Sequence, residues 1–259
     1  MKIASWNINS LRRREARLLE WLATKQYDIV CLQETKCSDD QFPQMSLSAA
    51  GYRAAFHGQK SYNGVAILAR SQMDDVQASL CDEVADDQAR VIAATVENVR
   101  IICIYAPNGQ APGSPAFKYK LEWFRRLRDC VARAQQQFRD VIVCGDFNVA
   151  PEDRDTHDPA LWRNAIMCTR EERAGFRAVE ELGFRDTLRI HHSEAGLFTW
   201  WDYRMLAFPK NRGLRIDAIL ASKDLAARCI GAGIDRDMRK GSEPSDHAPI
   251  WAEFGEVEQ

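Results

Sequence analysis

The stretch "RVIAATVENVRIICIYA", residues 90–106, decides the fold class. Two apolar, β-branched runs are joined by a short polar connection between Glu97 and Arg100, a pattern typical of a β-hairpin. A hairpin joins antiparallel strands, so this stretch excludes a purely parallel sheet whose strands alternate with helices. It favours mixed or antiparallel sheets with helices packed outside them.

Similar apolar runs predict further strands along the chain. They are rich in Ile and Val and lack clean alternation, as strands covered on both faces do. They read "KIASWNI", "DIVCLQE", "GVAILAR", "DVIVCGDF", "LRIDAILAS" and "APIWAEF". Amphipathic helices are predicted by the apolar spacing of "RREARLLEWLATK", "FKYKLEWFRRLRDCVARAQQQF" and "EERAGFRAVEELG". Without a linker, repeat or composition shift, we predict one α/β domain over residues 1–259.

The composition excludes several classes of protein. The chain has 259 residues, 46% of them hydrophobic, but no apolar run approaches the roughly 20 residues that span a bilayer. The N-terminus lacks a secretory signal pattern, so we expect a cytoplasmic protein without a membrane partner. The 8 cysteines form no C-x-x-C pair, which favours buried reduced thiols over disulfides. The net charge of -2 allows a basic surface only locally.

Polar residues stand at the ends of the predicted strands. Early strands end at or near Asn7, Glu34, Tyr105, Asp146 and Asn148, and late strands begin at Asp217 and just after Asp246 and His247. The end of one strand and the start of an antiparallel strand lie on the same edge of a sheet, so all of these residues can converge there. Taken singly, each has an ordinary interpretation as a turn former or a packing residue.

Asp217 is harder to explain as a turn residue. It lies within an apolar strand, and burying an unpaired carboxylate costs several kcal/mol, about 3–5 when one partner of a buried pair is lost. His247 is the candidate partner. Carboxylate and amide oxygens suit a hard cation such as Mg²⁺, for which Glu34, with Asn7 nearby, is the candidate site. There is no zinc spacing, phosphate-binding loop or nucleophile elbow, so a metal-assisted phosphate-ester hydrolase remains.

Eight motifs follow one another between residue 6 and residue 251: "WNINSLR", "LQETK", "HGQKSYNGVAI", "IYAPNG", "CGDFNVAP", "TWWDYR", "NRGLRIDAIL" and "PSDHAPIW". In this order they resemble the exonuclease III family of abasic-site endonucleases. This family belongs to the endonuclease/exonuclease/phosphatase group, whose fold is similar to DNase I. The resemblance implies a four-layer α/β sandwich, in which two mixed sheets pack face to face between layers of helices.

The resemblance also implies a divalent metal, Mg²⁺ with Mn²⁺ as a substitute. Glu34 would be the main ligand, with Asn7 close by and Asp246 contributing. Asp146 and Asn148 are further candidate ligands.

Catalytic roles follow from the same resemblance. Asp146 would orient or deprotonate the attacking water. His247, paired with Asp217, would donate a hydrogen bond to a phosphate oxygen. The phosphate and the reacting oxygens would be contacted by Tyr105, Asn148, Asn108 and Lys36.

The loop "FTWWDYRMLAFPKNRGLRID" mixes aromatic and basic side chains, which suits an unpaired nucleotide and its phosphates. A packed hydrophobic loop with a solvated rim is the alternative. The resemblance favours double-stranded DNA and implies a pocket for an abasic sugar, formed by Phe198, Trp200, Leu214 and Ile216. Candidate contacts to the DNA backbone, each with a solvated loop as its alternative, are Lys60, Tyr62, Arg12, Arg13, Arg14 and the loop cations Arg204, Lys210, Arg212 and Arg215.

One segment departs from the family pattern. A loop resembling "FLPEER" normally precedes the helix before "GFxDT", whereas this chain has the shorter "AIMCTREER", residues 165–173. Met167 then falls beside the pocket, where its bulky side chain could block an extrahelical sugar and leave a 3′ end accessible.

Two activities therefore stay open within a Mg²⁺-dependent DNA repair nuclease. The first is abasic-site incision together with 3′–5′ exonuclease and 3′-phosphatase activity. The second is a 3′-end-specialised phosphatase and exonuclease with weak or no incision. The expected partner is duplex DNA with abasic sites, nicks or blocked 3′ ends, bound by a monomer. A lipid phosphodiesterase of the same group would favour an exposed apolar loop, and a non-catalytic DNA-binding relative would lack parts of the catalytic set.

Overall fold

The computed structural model describes residues 1–80, 82, 84 and 86–255, and its strands form two six-stranded mixed sheets. Sheet I contains, in spatial order, β11 (Cys229–Ile234), β12 (Ile250–Phe254), β1 (Lys2–Asn7), β2 (Ile29–Gln33), β4 (Val65–Ala69) and β3 (Arg53–His57). Sheet II contains β5 (Asp74–Gln77), β6 (Val91–Val96), β7 (Val99–Tyr105), β8 (Asp140–Asp146), β10 (Asp217–Ala221) and β9 (Arg185–Asp186). Each sheet has one parallel pair, β1 with β2 and β7 with β8, among antiparallel neighbours.

The stretch that decides the fold forms the hairpin of β6 and β7. Val96 pairs with Val99, so the turn consists of two residues. Those residues, Glu97 and Asn98, have φ angles of 47° and 66°. Two left-handed residues give the turn a twist that matches the right-handed twist of the flanking strands. The predicted hairpin is confirmed.

Helices cover the outer faces of both sheets. On sheet I lie α1 (Leu11–Lys25) and α2 (Gln44–Ala49). Leu18 and Trp21 of α1 pack against side chains on the helix-covered face of this sheet, such as Trp6. On sheet II lie α3 (Pro115–Gln137) and α5 (Arg170–Glu180), whose apolar faces contact residues such as Val143. The shorter helices are α4 (Pro159–Trp162), α6 (Thr187–His191) and α7 (Lys223–Ala226).

The main core lies between the sheets. Alternate residues of each strand, such as Ile67 in sheet I and Ile142 in sheet II, meet in one buried cluster. Successive strand residues point to opposite faces, so the same strands also supply the helix-covered cores. The architecture is therefore helices, sheet, sheet, helices, which confirms the four-layer prediction.

The cysteines agree with the expectation from the sequence. Cysteines 31, 37, 103, 130, 144, 168 and 229 are all free and buried, as predicted, and Cys81 lies outside the described residues. Within the described ranges, no helix is long and apolar enough to cross a membrane.

Candidate active site

One edge of the two sheets collects the polar residues that stand at strand ends. In sheet II, Tyr105 lies opposite Asp146, and Asp146 lies opposite Asp217 on the next strand. β7 and β8 end at this edge, whereas the antiparallel β10 begins there. In sheet I, Asn7 ends β1 and Glu34 follows the parallel β2. Residues from distant parts of the chain therefore meet because the strands share one edge.

Asn7 connects the two sheets. Its Nδ2 donates to Oε1 of Glu34 over 2.8 Å and to Oδ2 of Asp146 over 2.9 Å. Its Oδ1 accepts from the backbone N–H of Asn9 over 3.1 Å. In this arrangement the amide nitrogen faces both carboxylates, so Asn7 orients Glu34 and Asp146.

His247 lies between two carboxylates. Its Nδ1 is 2.9 Å from Oδ2 of Asp217, and its Nε2 is 3.7 Å from Oδ2 of Asp146. Burial alone would lower the pKa of His247, but Asp217 and Asp146 outweigh it and raise this pKa to about 10. An imidazolium held in this way donates a hydrogen bond, with its orientation fixed by Asp217.

The pKa of Asp146 is also raised, although a raised pKa favours the neutral form of a carboxyl group. Burial is the main reason that its pKa rises to about 7, with His247 opposing the rise and Asp217 adding to it. A carboxylate whose pKa lies near neutrality is well matched to accepting a proton from water.

Tyr105 faces the same site from the end of β7. Burial, followed by the negative charges of Glu34 and Asp146, raises the pKa of Tyr105 well above its ordinary value. The Arg90 guanidinium lies 4.7 Å from the centre of the Tyr105 ring and stacks on it. Tyr105 therefore remains a protonated phenol, which can donate to an anionic oxygen.

Two asparagines border the carboxylates. Asn148 is held in a left-handed turn, with a φ of 50°, by its backbone N–H, which donates to Oδ1 of Asp146 over 2.8 Å. Its Nδ2 donates to the Ala106 carbonyl over 2.9 Å. Asn108 Nδ2 in turn donates to Oδ1 of Asn148 over 3.3 Å. Both asparagines therefore lie at the same edge as the Asp146 carboxylate.

Asn9 is a site residue that reasoning from strand ends missed. Its Nδ2 donates to Oδ1 of Asp246 over 2.8 Å, and its Oδ1 accepts from Lys36 Nζ over 2.6 Å. Lys36 also lies 2.8 Å from Oε2 of Glu34, and Asp246 Oδ2 accepts from Trp200 Nε1 over 3.0 Å. Asp246 is thus bound to Asn9 and Trp200, beside the Glu34–Asp146 pair. The sequence signal that could have indicated Asn9 is its place in the motif "WNINSLR", which carries part of the family resemblance.

The carboxylates fit a divalent cation. Glu34, Asp146 and His247 have ligand atoms that all lie within 4.8 Å of one another. His247 is an unsuitable ligand, because Asp217 occupies Nδ1 and its raised pKa keeps the ring protonated. Two carboxylates that leave room for water are the donor set that a hard cation prefers. Glu34 and Asp146 are therefore the best-placed metal ligands.

Met167 lies among the residues that were expected to form the sugar pocket. It is only 8% exposed and packs with Leu214 and Ile216, and Trp200 lies against the same cluster. Its φ of 71° is unusual for an unbranched apolar residue. Phe198, which was expected in this pocket, packs with Trp201, Ala207 and Ala248 instead. Met167 thus belongs to the same buried cluster as the expected pocket residues Leu214, Ile216 and Trp200.

The candidate contacts to the DNA backbone divide into exposed and internal residues. The exposed ones are Lys60, Tyr62, Arg12, Arg13, Arg204, Lys210 and Arg212. Of these, Arg13 pairs with Glu243 and Arg204 with Asp202. Arg14 is wrongly placed among the backbone contacts, because its guanidinium is buried against the carbonyls of Ile8, Asn9, Glu243 and Pro244. Arg215 is also internal, since it is 1% exposed and pairs with Asp155 and Asp186.

A family model matches most of the chain. The description of that model is the Endonuclease/Exonuclease/phosphatase family, and it matches residues 4–247. The chain belongs to this family. The members are hydrolases, and the match extends over both sheets and ends at His247. The family assignment covers almost the whole chain, as the ordered motifs implied.

Individual members of the family are similar over their full lengths. The chain is 35% identical to exodeoxyribonuclease III of Haemophilus influenzae, over 98% of this chain and 100% of that protein. It is 44% identical to the solved 3′ phosphatase NExo from Neisseria bound to a product DNA hairpin, with a TM-score of 0.97 over 98% and 99% of the two chains. An AP endonuclease from Archaeoglobus fulgidus is 37% identical, with a TM-score of 0.94 over 98% and 99%.

Proposed function

We propose that the protein is a metal-dependent DNA repair nuclease that acts mainly on 3′ ends, as a 3′-phosphatase and 3′–5′ exonuclease, with weak abasic-site incision. The observation that carries this proposal is the position of Met167. Its buried side chain packs against Leu214 and Ile216, the expected wall of a sugar pocket. An extrahelical abasic sugar would have to displace it, whereas a frayed or nicked 3′ end would not enter so deeply. The similarity to the Neisseria 3′ phosphatase supports the same choice.

The proposed cofactor is Mg²⁺, with Mn²⁺ as a substitute, held by Glu34 and Asp146. When bound, the cation supplies positive charge that stabilises the phosphate oxygens. Asn7 keeps both carboxylates oriented toward it, because its amide donates to each of them. Lys36, which contacts Glu34 Oε2, balances the charge of this carboxylate and can then turn to a DNA phosphate.

The protein side chains carry the proton and charge steps. Asp146 orients the attacking water and accepts its proton, with its carboxylate held in place by the Asn7 amide and the Asn148 N–H. His247 donates to a phosphate oxygen as negative charge grows on it, and Asp217 stabilises the imidazolium. Tyr105, Asn148 and Asn108 donate to the remaining phosphate oxygens.

The proposed partner is duplex DNA with a nick, a recessed end or a blocked 3′ terminus. Exposed cations and aromatic side chains beside the site, which include Lys60, Tyr62 and Arg212, contact its backbone. Residues 1–259 act as one domain and as a monomer, because one chain supplies every residue of the site. A cytoplasmic location near the nucleoid agrees with the free buried thiols, which are typical of a reducing compartment.

Three labelled duplexes test the proposed function. One carries a 3′-phosphate at a nick, one a plain recessed 3′ end, and one an internal abasic site, each incubated with Mg²⁺ or with a chelator. We expect release of phosphate and of 3′ nucleotides in Mg²⁺ only, with abasic incision slower by about 100-fold or more, the scale of one lost binding pocket. Incision as fast as phosphate release, or activity that resists the chelator, contradicts the proposal.

A further inference from the structure

A buried ion pair lies behind the candidate active site. Lys120 of α3 and Glu172 of α5 have side chains that are both 0% exposed, and Nζ lies 2.5 Å from Oε1. Burying two charges is costly, and a hydrophobic pair of similar volume often stabilises a protein as well or better. An ion pair at this depth is therefore a reason to look for a role other than stability.

The ammonium group of Lys120 holds both asparagine loops. Besides Glu172, it donates to the backbone carbonyl of Asn108 over 3.1 Å and to that of Asn148 over 2.7 Å. An ammonium has three N–H donors, so these three acceptors use all of them. The side chains of Asn108 and Asn148 contact each other on the opposite side, facing the carboxylates. Lys120 thus fixes the backbone from which both phosphate-binding amides project.

The carboxylate of Glu172 holds the Met167 segment. Oε1 accepts from the backbone N–H of Met167 over 3.0 Å. Oε2 accepts from the backbone N–H of Thr169 over 3.1 Å and from its hydroxyl over 2.8 Å. Met167 has a left-handed φ of 71°, a conformation that persists in a residue of this kind only when its surroundings impose it. Glu172 supplies that constraint through the Met167 N–H.

We propose that Lys120 and Glu172 are positioning residues that couple the phosphate-binding asparagines to the Met167 wall and so set the preference for 3′ ends over abasic sites. This inference rests on the proposed function. Neither residue touches the substrate. Their effect arises because one ion pair determines where Asn108, Asn148 and Met167 stand relative to one another.

The test compares Lys120→Met with Arg126→Met. Arg126 lies on the same helix, is 6% exposed and pairs with Asp82 over 2.7 Å, but it contacts neither asparagine loop. Both variants therefore lose a largely buried cation of α3. Steady-state kinetics on the nicked 3′-phosphate and abasic duplexes are measured at a temperature where circular dichroism shows all variants folded.

We expect Lys120→Met to lower kcat for 3′-phosphate release by about 100-fold with little change in KM, the scale of a displaced catalytic group. The ratio of abasic incision to phosphate release should rise about tenfold or more, because the Met167 segment is released. Lys120→Arg keeps the charge and should recover part of kcat, and Arg126→Met should leave kcat and the ratio unchanged.

Two outcomes overturn the inference. The first is a Lys120→Met variant that matches Arg126→Met in kcat and in the activity ratio. The second applies if Lys120→Met does not fold. The double variant Lys120→Met/Glu172→Leu, which replaces the buried pair by apolar side chains and removes the acceptor of the Met167 N–H, would then have to leave the ratio at the wild-type value. If the wild type is inactive on every duplex, the proposed function itself is wrong. An active wild type with a silent Lys120 refutes only the coupling.

Discussion

Nδ1 of His247 lies 2.9 Å from Oδ2 of Asp217, 30 residues earlier in the chain, and the pair joins the two sheets. Asp217 begins β10 of sheet II, whereas His247 lies three residues before the start of β12 of sheet I. Both side chains are almost completely buried. The pair depends on the face-to-face packing of the sheets, so the tertiary fold itself produces the charged form of His247.

The first prediction concerns the alkaline limit of activity. His247 acts as an imidazolium, and the carboxylates raise its pKa to about 10, so on the alkaline side kcat/KM should fall only as pH approaches that value. Asp217→Asn removes one of these carboxylates, lowers the pKa and moves the fall toward neutral pH. The pH at which kcat/KM falls is measured from the pH profile of 3′-phosphate release. Asp237→Asn, at an exposed position, is the control. Superimposable profiles for Asp217→Asn and the wild type would refute this role.

The second prediction concerns Met167. Met167→Gly should increase abasic incision about tenfold or more while 3′-phosphate release changes little, because it removes the side chain that fills the pocket. Glycine also accepts the left-handed φ of 71° without strain. Met167→Leu keeps the volume and should leave incision at the wild-type level. The rate of incision of the abasic duplex is measured on a gel for both variants. Equal rates for Met167→Gly and Met167→Leu would count against the pocket explanation.

The third prediction concerns the metal site. Glu34→Gln should raise the Mg²⁺ concentration needed for half-maximal activity about tenfold or more, because an anionic ligand oxygen is replaced by a neutral one. Glu122→Gln, at an exposed position on α3, serves as the control. A Mg²⁺ titration of phosphate release gives both values. If Glu34→Gln and Glu122→Gln require the same Mg²⁺ concentration, Glu34 is not the main ligand.

The fourth prediction concerns stability. Arg215 pairs with Asp155 over 2.6 Å and with Asp186 over 2.5 Å, and all three side chains are buried. Arg215→Met should lower the free energy of unfolding by about 3–5 kcal/mol, because it leaves uncompensated buried carboxylates. The exposed pair of Arg204 with Asp202 should contribute no more than about 1 kcal/mol. Urea denaturation gives the free energy of unfolding of Arg215→Met and of Arg204→Ala. Equal decreases in this free energy would show that the buried network contributes no more than the exposed pair.

The sequence predicted the elements whose signal is local. The β6–β7 hairpin and the eight apolar runs were predicted correctly, because their residues carry both the β-branched character and the turn signal. β11 was not predicted, because its glycines are required by a neighbouring strand and give no local strand signal. A Cβ at Gly233 would lie 2.8 Å from Trp251 of the paired β12. The small residues fit under this ring, a requirement that becomes visible only after the strands pair.

In the candidate site, too, the sequence predicted the residues with a local signal and missed those whose partners are distant in the chain. Asn7, Glu34, Asp146 and His247 stand at strand ends, where position alone marks them. Arg14 and Arg215 resembled free cations, since the carbonyls and carboxylates that bury them come from distant segments. Lys120 reads as one polar position in an amphipathic helix, and its partners lie 12, 28 and 52 residues away. Long-range partners of this kind leave no local pattern.

The most direct test of the account is the single-turnover rate of 3′-phosphate release by Asp146→Asn in saturating Mg²⁺. Asp146 contacts Asn7, faces His247 and is the proposed base, so the account predicts a rate lower than that of the wild type by about 10²–10⁴-fold, with an unchanged circular dichroism spectrum. A folded Asp146→Asn protein that releases phosphate at a near-wild-type rate would contradict the account.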